Sequence, residues 1–248
     1  MMDRLVGRRA LVTGAAQGIG EAIARRLAAE GAAVALTDIN AAAGQAVADS
    51  IGSNATFFVL NVASEQDWID GVAIAVERLG GLDILVNNAG IGFAETLEEC
   101  TLEQYEKTIA VTQTSVFLGM KHAGEALKSS GHGSVINISS ILGASGGLGA
   151  SPDYHAAKGA VRLMTKNVAL LWATAGVRVN SVHPGFIDTP VFDQVRGTDA
   201  ETAIIATTPM GRLGLPAEVA AAVAFLASDD ATFCTGSELY VDGGYMAR

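Results

Sequence analysis

Short apolar segments alternate with helix-like segments along the whole chain, and this alternation restricts the folds that the sequence can adopt. The segments that read as β-strands are Arg9–Thr13, Ala33–Asp38, Thr56–Val62, Asp83–Asn87, Ser134–Ser139, Val177–Val182 and Glu238–Val241. Strands that alternate with helices are typical of a parallel sheet with helices packed on both faces. We therefore predict an α/β fold, with one doubly wound domain over residues 1–248 and a seven-stranded parallel sheet.

Several residues mark where the helices begin and end. A first helix is predicted over Gly18–Glu30, because Gly31 is a typical helix stop. Ser64–Asp67 (SEQD) and Thr101–Gln104 (TLEQ) have the pattern of capping boxes. Pro216 suits the first turn of a late helix.

The segment from Pro184 to Leu215 has no helical or strand period. It is too long for an ordinary connection between a strand and a helix, and such segments are usually functional. We therefore predict a substrate lid around residues 184–215.

Composition and charge exclude several classes of protein. Half of the residues are apolar and 17% are charged, which suits a substantial core. The net charge of −10 argues against a nucleic-acid partner, which requires a basic surface. The chain starts without the apolar core of a signal peptide, and no apolar run approaches the roughly 18 residues of a membrane span. With only Cys100 and Cys234 there is no disulfide framework, so we expect a cytoplasmic protein without a membrane partner.

A glycine-rich turn, Thr13–Gly20 (TGAAQGIG), directly follows the first predicted strand. Its glycines, Gly14, Gly18 and Gly20, allow the backbone to approach a pyrophosphate, and the following helix start adds positive potential. The spacing differs from the general GxGxxG pattern of dinucleotide sites. An ordinary glycine-rich turn is the alternative for the glycines alone.

Asp38 ends the second predicted strand, 18 residues after Gly20. A carboxylate there accepts hydrogen bonds from adenosine ribose hydroxyls and repels a 2′-phosphate. No lysine or arginine occupies residues 15–17, where a 2′-phosphate needs one. These residues predict NAD rather than NADP, although a solvated acid at a strand end also explains Asp38.

Tyr154 and Lys158 stand four residues apart behind Pro152, which suits a helix start. Residues at i and i+4 share a helix face, so we expect the phenol and the ammonium to meet. Tyrosine, with a pKa of about 10, is a poor base near neutrality, and a nearby positive charge lowers the pKa of an acid by about 1–3 units. The pair predicts a general acid/base, Tyr154, whose pKa Lys158 lowers. A tyrosine and a lysine on a helix surface is the alternative.

Taken together, five motifs in order give a resemblance to a known family. They are TGAAQGIG at Thr13–Gly20, NNAG at Asn87–Gly90, a serine ending INISS, YxxxK at Tyr154–Lys158 and VNSVHPG at Val179–Gly185. The chain resembles the short-chain dehydrogenase/reductase family from about Arg9 to its final YVDGG, and its length is like that of the compact branch. The resemblance implies a Rossmann-like fold and an NAD-preferring alcohol dehydrogenase or ketone reductase.

The resemblance also implies which residues act on substrate and cofactor. Ser140 joins Tyr154 and Lys158 as the third catalytic residue and orients the substrate oxygen, with Ser139 as its weaker rival. Asn87 is expected to pass near the cofactor riboses. The cofactor-binding residues implied are Gly14, Gln17, Gly18, Ile19, Gly20, Asp38, Asn61, Val62, Asn88, Ala89, Gly90, Tyr154, Lys158, Pro184, Gly185, Ile187 and Thr189.

One position departs from the family pattern. The family commonly has an asparagine where Thr112 stands in the segment Val111–Phe117. The main-chain carbonyl of that asparagine is thought to hold a water that links the lysine to solvent. Because any residue keeps its carbonyl, we expect an altered but working relay, helped by the hydroxyl of Thr112 or Ser115.

The resemblance places the substrate against the nicotinamide, and the walls there are apolar: Ile91, Phe93, Leu142, Leu148, Phe186, Val191 and Phe192. Arg196 and Arg212 lie in the lid, in directions that the sequence does not define. We expect an uncharged, mainly apolar secondary alcohol or ketone. His155 and His183 neighbour motif residues but lack metal-ligand spacing, so we predict packing or surface roles and no metal site.

Two other functions remain open from the sequence. One is an NAD-binding sensor or scaffold without turnover, which the Thr112 departure leaves possible. The other is an NADP-dependent reductase of the 3-oxoacyl type, which Asp38 disfavours. The resemblance also implies a homotetramer, with helices around Tyr105–Met120 and Val161–Leu171 between subunits.

Overall fold

The computed structural model describes residues 3–247, and its centre is one seven-stranded, entirely parallel sheet. The strands are β1 Arg9–Thr13, β2 Ala33–Asp38, β3 Ala55–Val59, β4 Ile84–Asn87, β5 Gly133–Ile138, β6 Val177–Pro184 and β7 Glu238–Val241. Their order across the sheet is β3-β2-β1-β4-β5-β6-β7. The predicted doubly wound α/β fold is confirmed.

Helices connect the strands and cover both faces of the sheet. They are α1 Gly18–Ala29, α2 Ala41–Ile51, α3 Glu65–Leu79, α4 Leu102–Thr108, α5 Ser115–Ser129, α6 Pro152–Trp172, α7 Asp199–Thr207 and α8 Pro216–Ala227. A π-helical segment, Ile109–Thr114, joins α4 to α5. Gly80 ends α3 in the left-handed conformation, as a glycine cap does.

Two apolar clusters, one on each side of the sheet, form the core. One contains Leu27 of α1 and Val223 of α8, and the other contains Trp68 of α3 and Val161 of α6. Strands β4 and β5 are buried along their whole lengths. Burial on both faces explains why these strands are apolar runs in the sequence rather than alternating patterns.

Tertiary hydrogen bonds move several strand ends from their predicted positions. The third strand ends at Val59 rather than at Val62, because the Asn61 N–H turns away and donates to the Asp67 carboxylate at 3.0 Å. The sixth strand continues to Pro184, since β7 pairs with it up to that residue. Asp67 and β7, which set these two strand ends, lie outside the strands themselves, so the strand patterns do not reveal them.

The two predicted helix caps differ in detail. Thr101 and Gln104 form a full capping box, as predicted. Ser64 caps the Asp67 N–H at 3.2 Å. The Asp67 carboxylate, however, accepts from the Ser64 hydroxyl and the Asn61 N–H, so the reciprocal half of that predicted box is replaced.

The predicted lid segment has secondary structure of its own. It contains a 3₁₀ turn, Pro190–Gln194, and helix α7. Its two ends are fastened together, because Gly214 N–H donates to the Phe186 carbonyl at 2.9 Å and Asp188 N–H donates to the Gly214 carbonyl at 2.8 Å. Lid motion remains a prediction.

Several large apolar side chains of α5 and α6 face outward. Phe117 is half exposed, and Leu163, Leu170 and Leu171 are more exposed still. Burial of these helices between subunits remains a prediction. Among residues 3–247, no helix combines the length and apolar character needed to cross a bilayer.

Candidate active site

The candidate site lies at the carboxyl ends of the strands, where the strand order reverses between β1 and β4. Ligands of open parallel sheets bind at such a switch point. The loop after β1 carries the glycine turn, and the loop after β4 carries Asn88, Ala89 and Gly90. The topology therefore brings the first two sequence motifs together.

Two positions in the glycine turn exclude a side chain. Gly14 has φ +64°, and a Cβ added to it lies 2.9 Å from the Ala89 Cα atom. A Cβ at Gly20 overlaps the Gly14 carbonyl oxygen and comes within 2.5 Å of Asn88 Nδ2. Glycine at these positions lets the β1 and β4 loops touch, with open backbone at the start of α1.

The start of α1 is available for an anion. Gln17 occupies the N-cap position and makes no side-chain hydrogen bond to the first turn. Helix starts have free N–H groups and positive potential, so they accept phosphate groups. Thr189 lies against this turn, since a Cβ at Gly18 would be 3.5 Å from Thr189 Cγ2. The structure thus brings the predicted residues Gln17, Gly18 and Thr189 to one place.

Asp38 lies beside the same turn and is held rigidly. Its carboxylate accepts hydrogen bonds from the Ala16 N–H at 3.1 Å and the Asn40 N–H at 2.9 Å. The side chain is half-buried at the end of β2. A fixed, partly solvated carboxylate is suited to accept hydrogen bonds from neutral hydroxyl groups and to repel anions.

Two asparagines of the NNAG motif hydrogen-bond within the protein. Asn88 donates through Nδ2 to the Thr13 and Gly14 carbonyls, at 2.9 and 3.1 Å, so its amide nitrogen supports the turn. The Asn87 side chain is buried and donates to Asn137 Oδ1 at 2.8 Å, and the expected passage of this residue near the riboses stays a prediction. The spacing of NNAG does not reveal these internal acceptors.

The predicted adenine contacts are also partly committed elsewhere. Asn61 is exposed and accepts from the Ala63 N–H at 3.1 Å through Oδ1. Val62 is buried, and its carbonyl accepts from the Trp68 indole at 2.9 Å. The Asn61 Oδ1 atom is therefore engaged within the loop. Its side-chain nitrogen is the atom left to contact an adenine.

Ser140, Tyr154 and Lys158 converge at the ends of β5 and α6. Ser140 follows β5 in extended conformation, and its hydroxyl hydrogen-bonds with Tyr154. Lys158 is buried, with Nζ 5.4 Å from the centre of the Tyr154 ring and 2.6 Å from the Ile138 carbonyl oxygen, to which it donates. The shared helix face predicted for Tyr154 and Lys158 is confirmed.

The predicted electrostatic effect of Lys158 on Tyr154 is wrong for the cofactor-free chain. Burial raises the pKa of Tyr154 to about 12, and the hydrogen bond with Ser140 only partly opposes this. Burial also lowers the pKa of Lys158 to about 8. One N–H of the Lys158 ammonium donates to a main-chain carbonyl, and the ammonium lies over the Tyr154 ring.

The weaker serine candidate has a structural role. The Ser139 hydroxyl is buried and donates to the Lys158 carbonyl at 2.9 Å, on the inner side of α6. Ser140, not Ser139, reaches Tyr154.

Two contributors to the site were missed in the sequence. The Thr13 hydroxyl accepts from the Asn88 and Ala89 N–H groups, at 3.0 and 3.1 Å, and so joins the two loops. A Cβ at Gly92 would come within 2.6 Å of the Tyr154 ring, so this glycine lets the β4 loop pack on the phenol. In the sequence, Thr13 is the first residue of the glycine motif and Gly92 lies two residues after NNAG.

Comparisons with known proteins agree on one family. Residues 14–246 match a family model described as "Enoyl-(Acyl carrier protein) reductase". The 2,5-dichloro-2,5-cyclohexadiene-1,4-diol dehydrogenase LinX of Sphingobium indicum is 43% identical over 248 residues, covering 99% of this chain and 98% of that one. The NADP-dependent (R)-specific alcohol dehydrogenase of Lentilactobacillus kefiri is 42% identical and is covered, like this chain, over its full length. The chain belongs to the short-chain dehydrogenase/reductase family.

A solved structure supports the same assignment. The crystal structure of a "putative gluconate dehydrogenase" from Agrobacterium tumefaciens superposes with a TM-score of 0.94 at 29% identity, covering 100% of this chain and 99% of that one. Proteins of the short-chain dehydrogenase/reductase family use nicotinamide cofactors. The glycine turn, the open start of α1 and the Asp38 carboxylate fit such a group.

In this short-chain dehydrogenase/reductase, Thr112 has a defined bonding pattern. Its buried hydroxyl accepts from the Ile91 N–H at 2.8 Å and donates to the Ile91 carbonyl at 2.7 Å. Ser115 donates to the Val111 carbonyl at 2.6 Å. Both hydroxyl protons are therefore engaged by main-chain carbonyls, and the expected help of either hydroxyl in a water relay stays a prediction.

The Thr112 hydroxyl instead holds the β4 loop. It lies in the π-helical segment, a type of bulge that is frequent at functional sites. A Cβ at Gly90 would be 3.4 Å from both Thr112 Oγ1 and Lys158 Nζ, so this residue and the lysine flank the same stretch of loop. The two hydrogen bonds between Thr112 and Ile91 thereby hold the neighbouring residues Gly90 and Gly92 in place.

Substitutions at Thr112 test both its alignment with the family asparagine and its hydrogen bonds to Ile91. Thr112→Asn keeps a donor and an acceptor, so we expect kcat within a few-fold of wild type. Thr112→Val keeps the shape but removes the partner of the Ile91 N–H and carbonyl in a partly buried site, which costs up to about 1–3 kcal/mol. We expect a lower melting temperature and a larger loss of kcat for Val. A complete loss with Asn contradicts the alignment of Thr112 with the family asparagine.

The predicted contacts after β6 lie at the edge of the site. Gly185 packs against β7, since a Cβ there would be 2.8 Å from Asp242 Cα. Ile187 is buried and pairs with Gly214 at the lid base, and Pro184 is the last residue of β6. In the described part of the chain, no three His, Cys, Asp or Glu side chains are arranged to hold a metal ion.

Proposed function

We propose that the protein is an NAD-dependent dehydrogenase/reductase that interconverts an uncharged, mainly apolar secondary alcohol and its ketone. The convergence of Ser140, Tyr154 and Lys158 beside the glycine turn carries this proposal. A protein that only sensed NAD would not need a phenol, a hydroxyl and an ammonium at one point. The sensor alternative relied on the Thr112 departure, and the Ile91 hydrogen bonds give that residue a role in the working site.

The nicotinamide supplies the hydride acceptor or donor at the substrate carbon. Tyr154 exchanges the accompanying proton with the substrate oxygen, taking it from the alcohol or giving it to the ketone. With a pKa of about 12, the phenol is protonated at neutral pH in the cofactor-free chain and is ready to act as the acid in ketone reduction. Ser140 orients the substrate oxygen against Tyr154, and Lys158 places a positive charge over the phenol ring.

The preference for NAD rests on Asp38. The carboxylate is anchored by two backbone N–H groups and cannot turn away from a 2′-phosphate without losing them. Like charges about 4 Å apart repel by roughly 1 kcal/mol in water and about 4 kcal/mol near a protein surface. The Lentilactobacillus kefiri relative is NADP-dependent, so family membership alone leaves this choice open.

We therefore expect NAD to bind at least about tenfold more tightly than NADP, and the Asp38→Ser substitution to reduce this ratio. Fluorescence titration with NADH and NADPH measures both affinities. Asp49→Ser removes an exposed carboxylate on α2 and is the matched control, for which no change is expected. Tighter binding of NADPH by the wild-type chain refutes the NAD proposal.

The uncharged substrate is supported by the lid. Arg196 is paired with Asp188 and Asp193, at 2.6 and 3.0 Å. Arg212 is paired with Glu218 at 2.6 Å. Both lid arginines thus already have carboxylate partners, which disfavours their use as a clamp for an anionic substrate. The alcohol-oxidising relatives act, by their names, on a cyclic diol and on alcohols.

The test is turnover of NAD⁺ with a panel of aliphatic, cyclic and aryl secondary alcohols, followed by NADH absorbance. Matched hydroxy acids carry the same carbon skeletons with an added carboxylate. We expect turnover of neutral alcohols and little of the acids. Preference for the acids refutes the substrate class, and no turnover of any alcohol or reverse ketone refutes the proposed activity.

A further inference from the structure

His183 is a fully buried histidine next to the proposed catalytic serine, and the mechanism above does not use it. It is the next-to-last residue of β6, which lies between β5 and β7 in the sheet. Its ring packs 4.7 Å from the Tyr240 ring of β7. On the other side it reaches the carbonyl of Ser140, the second residue after the end of β5.

The hydrogen bonds of His183 define its tautomer. Nδ1 lies 3.1 Å from the Ser140 carbonyl oxygen, which can only accept, so Nδ1 carries the proton. Nε2 lies 2.8 Å from the Ser181 hydroxyl and accepts from it in the neutral ring. Burial lowers the pKa of His183, with Arg162 and Lys158 acting in the same direction and Glu238 and the Ser140 hydrogen bond opposing. The ring is therefore a neutral donor with both nitrogens paired.

The Ser140 peptide is held from two directions. Its carbonyl also accepts from the Gly143 N–H at 3.0 Å, so the two donors together use both lone pairs. On the preceding residue, the Ser139 N–H donates to the Val182 carbonyl at 2.8 Å. The Gly143 bond lies within the local turn, whereas the His183 bond ties Ser140 to the rigid sheet.

The side chain of Ser140 depends on this anchoring. Its Oγ accepts from the Leu142 N–H at 3.1 Å and hydrogen-bonds with Tyr154. Rotation of the Ser140 peptide moves Oγ relative to the phenol, and a displacement of about 1 Å in a catalytic group can lower a rate by about 100-fold.

We propose that His183 is a positioning residue that orients Ser140 through its Nδ1–H donor. This role rests on the proposed function, because Ser140 acts on the substrate oxygen only in a dehydrogenase/reductase. The ring does not touch substrate or cofactor. Its contribution is to fix the peptide from which the Ser140 hydroxyl extends.

A matched pair of substitutions tests the donor itself. In His183→Asn the amide nitrogen falls near the position of Nδ1, and in His183→Gln it falls near the position of Nε2. We expect Gln to lower kcat by about 10–100-fold with unchanged NADH affinity, and Asn to recover most of that loss. Ser181→Ala removes only the partner of Nε2 and is expected to keep a near-wild-type kcat.

The outcomes are distinct. A wild-type kcat for His183→Gln, or equal losses in the Asn, Gln and Ser181→Ala variants, overturns the proposal, since equal losses indicate packing alone. Nitrogen-15 NMR of the wild-type chain provides a readout that needs neither turnover nor a stable variant. We expect a protonated Nδ1, a bare Nε2 and no titration between pH 5.5 and pH 8, a range about the ordinary histidine pKa of about 6.5.

A protonated Nε2, or titration at the ordinary pKa, overturns the assignment. If the wild-type chain turns over no alcohol or ketone, the proposed function fails independently. The NMR result then still decides whether His183 donates to Ser140.

Discussion

Tyr154→Phe is expected to lower kcat by about 10²–10⁴-fold, the range that a positioned general acid/base contributes. The substitution removes one oxygen and leaves the ring, which packs on Gly92 and lies below the Lys158 ammonium. NADH affinity and the melting temperature are therefore expected to stay close to wild type. Initial rates with the best alcohol of the panel, together with NADH titration, measure both effects.

Tyr105→Phe provides the matched control for this prediction. Tyr105 is a partly exposed residue of α4, away from the ends of β5 and α6 where Ser140 and Lys158 meet. Its kcat should equal that of wild type. If Tyr154→Phe keeps more than about a tenth of the wild-type kcat, the phenol is not the proton-transfer group.

Gly20→Ala is expected to disrupt both the glycine turn and cofactor binding. The added methyl group overlaps the Gly14 carbonyl and crowds Asn88 Nδ2, and the first of these is backbone that cannot rotate away. Overpacking of this kind costs about 1–3 kcal/mol of folding free energy. Because the displaced backbone forms the start of the cofactor site, we also expect the dissociation constant for NADH to rise at least about tenfold.

Gly159→Ala separates this clash from the general effect of replacing a helical glycine. At Gly159, inside α6, the new methyl group meets nothing closer than the Gly143 carbonyl oxygen at 3.7 Å. Alanine is favoured over glycine in a helix by about 0.5–1 kcal/mol, so the melting temperature should rise or stay constant. Equal NADH affinity in Gly20→Ala and wild type contradicts the assignment of this turn to the cofactor.

The fold was predictable because its signal is repeated along the chain. The central strands β1 and β4 are mainly apolar runs, as burial on both faces of the sheet requires. Strand ends were less predictable. Asn61 reads as a continuation of β3, and only its hydrogen bond to Asp67, set by the position of α3, ends the strand.

The candidate site was predictable in its residue types and less so in their bonds. Helical spacing correctly places Tyr154 and Lys158 on one face, yet it does not show that the Ile138 carbonyl accepts a hydrogen bond from Lys158. Likewise NNAG places Asn88 at the site without showing that its amide nitrogen supports the Thr13–Gly14 backbone. These acceptors come from other strands, so only the assembled sheet reveals them.

The direction of the Tyr154 pKa shift also depends on the assembled fold. A nearby ammonium and burial act in opposite directions, and the sequence indicates the ammonium but not the depth of burial. In the cofactor-free chain burial prevails, and the pKa rises to about 12.

The strand order has a consequence for how the chain assembles over time. Strands β1, β2 and β3 are neighbours in both sequence and space, whereas β1 also pairs with β4, with Ala10 opposite Ile84. Pairings between distant segments slow folding, because a long loop must close before they form. We expect the first three strands to associate early during synthesis. The surface that joins the glycine turn to Tyr154 then matures only when β5 and α6 have left the ribosome.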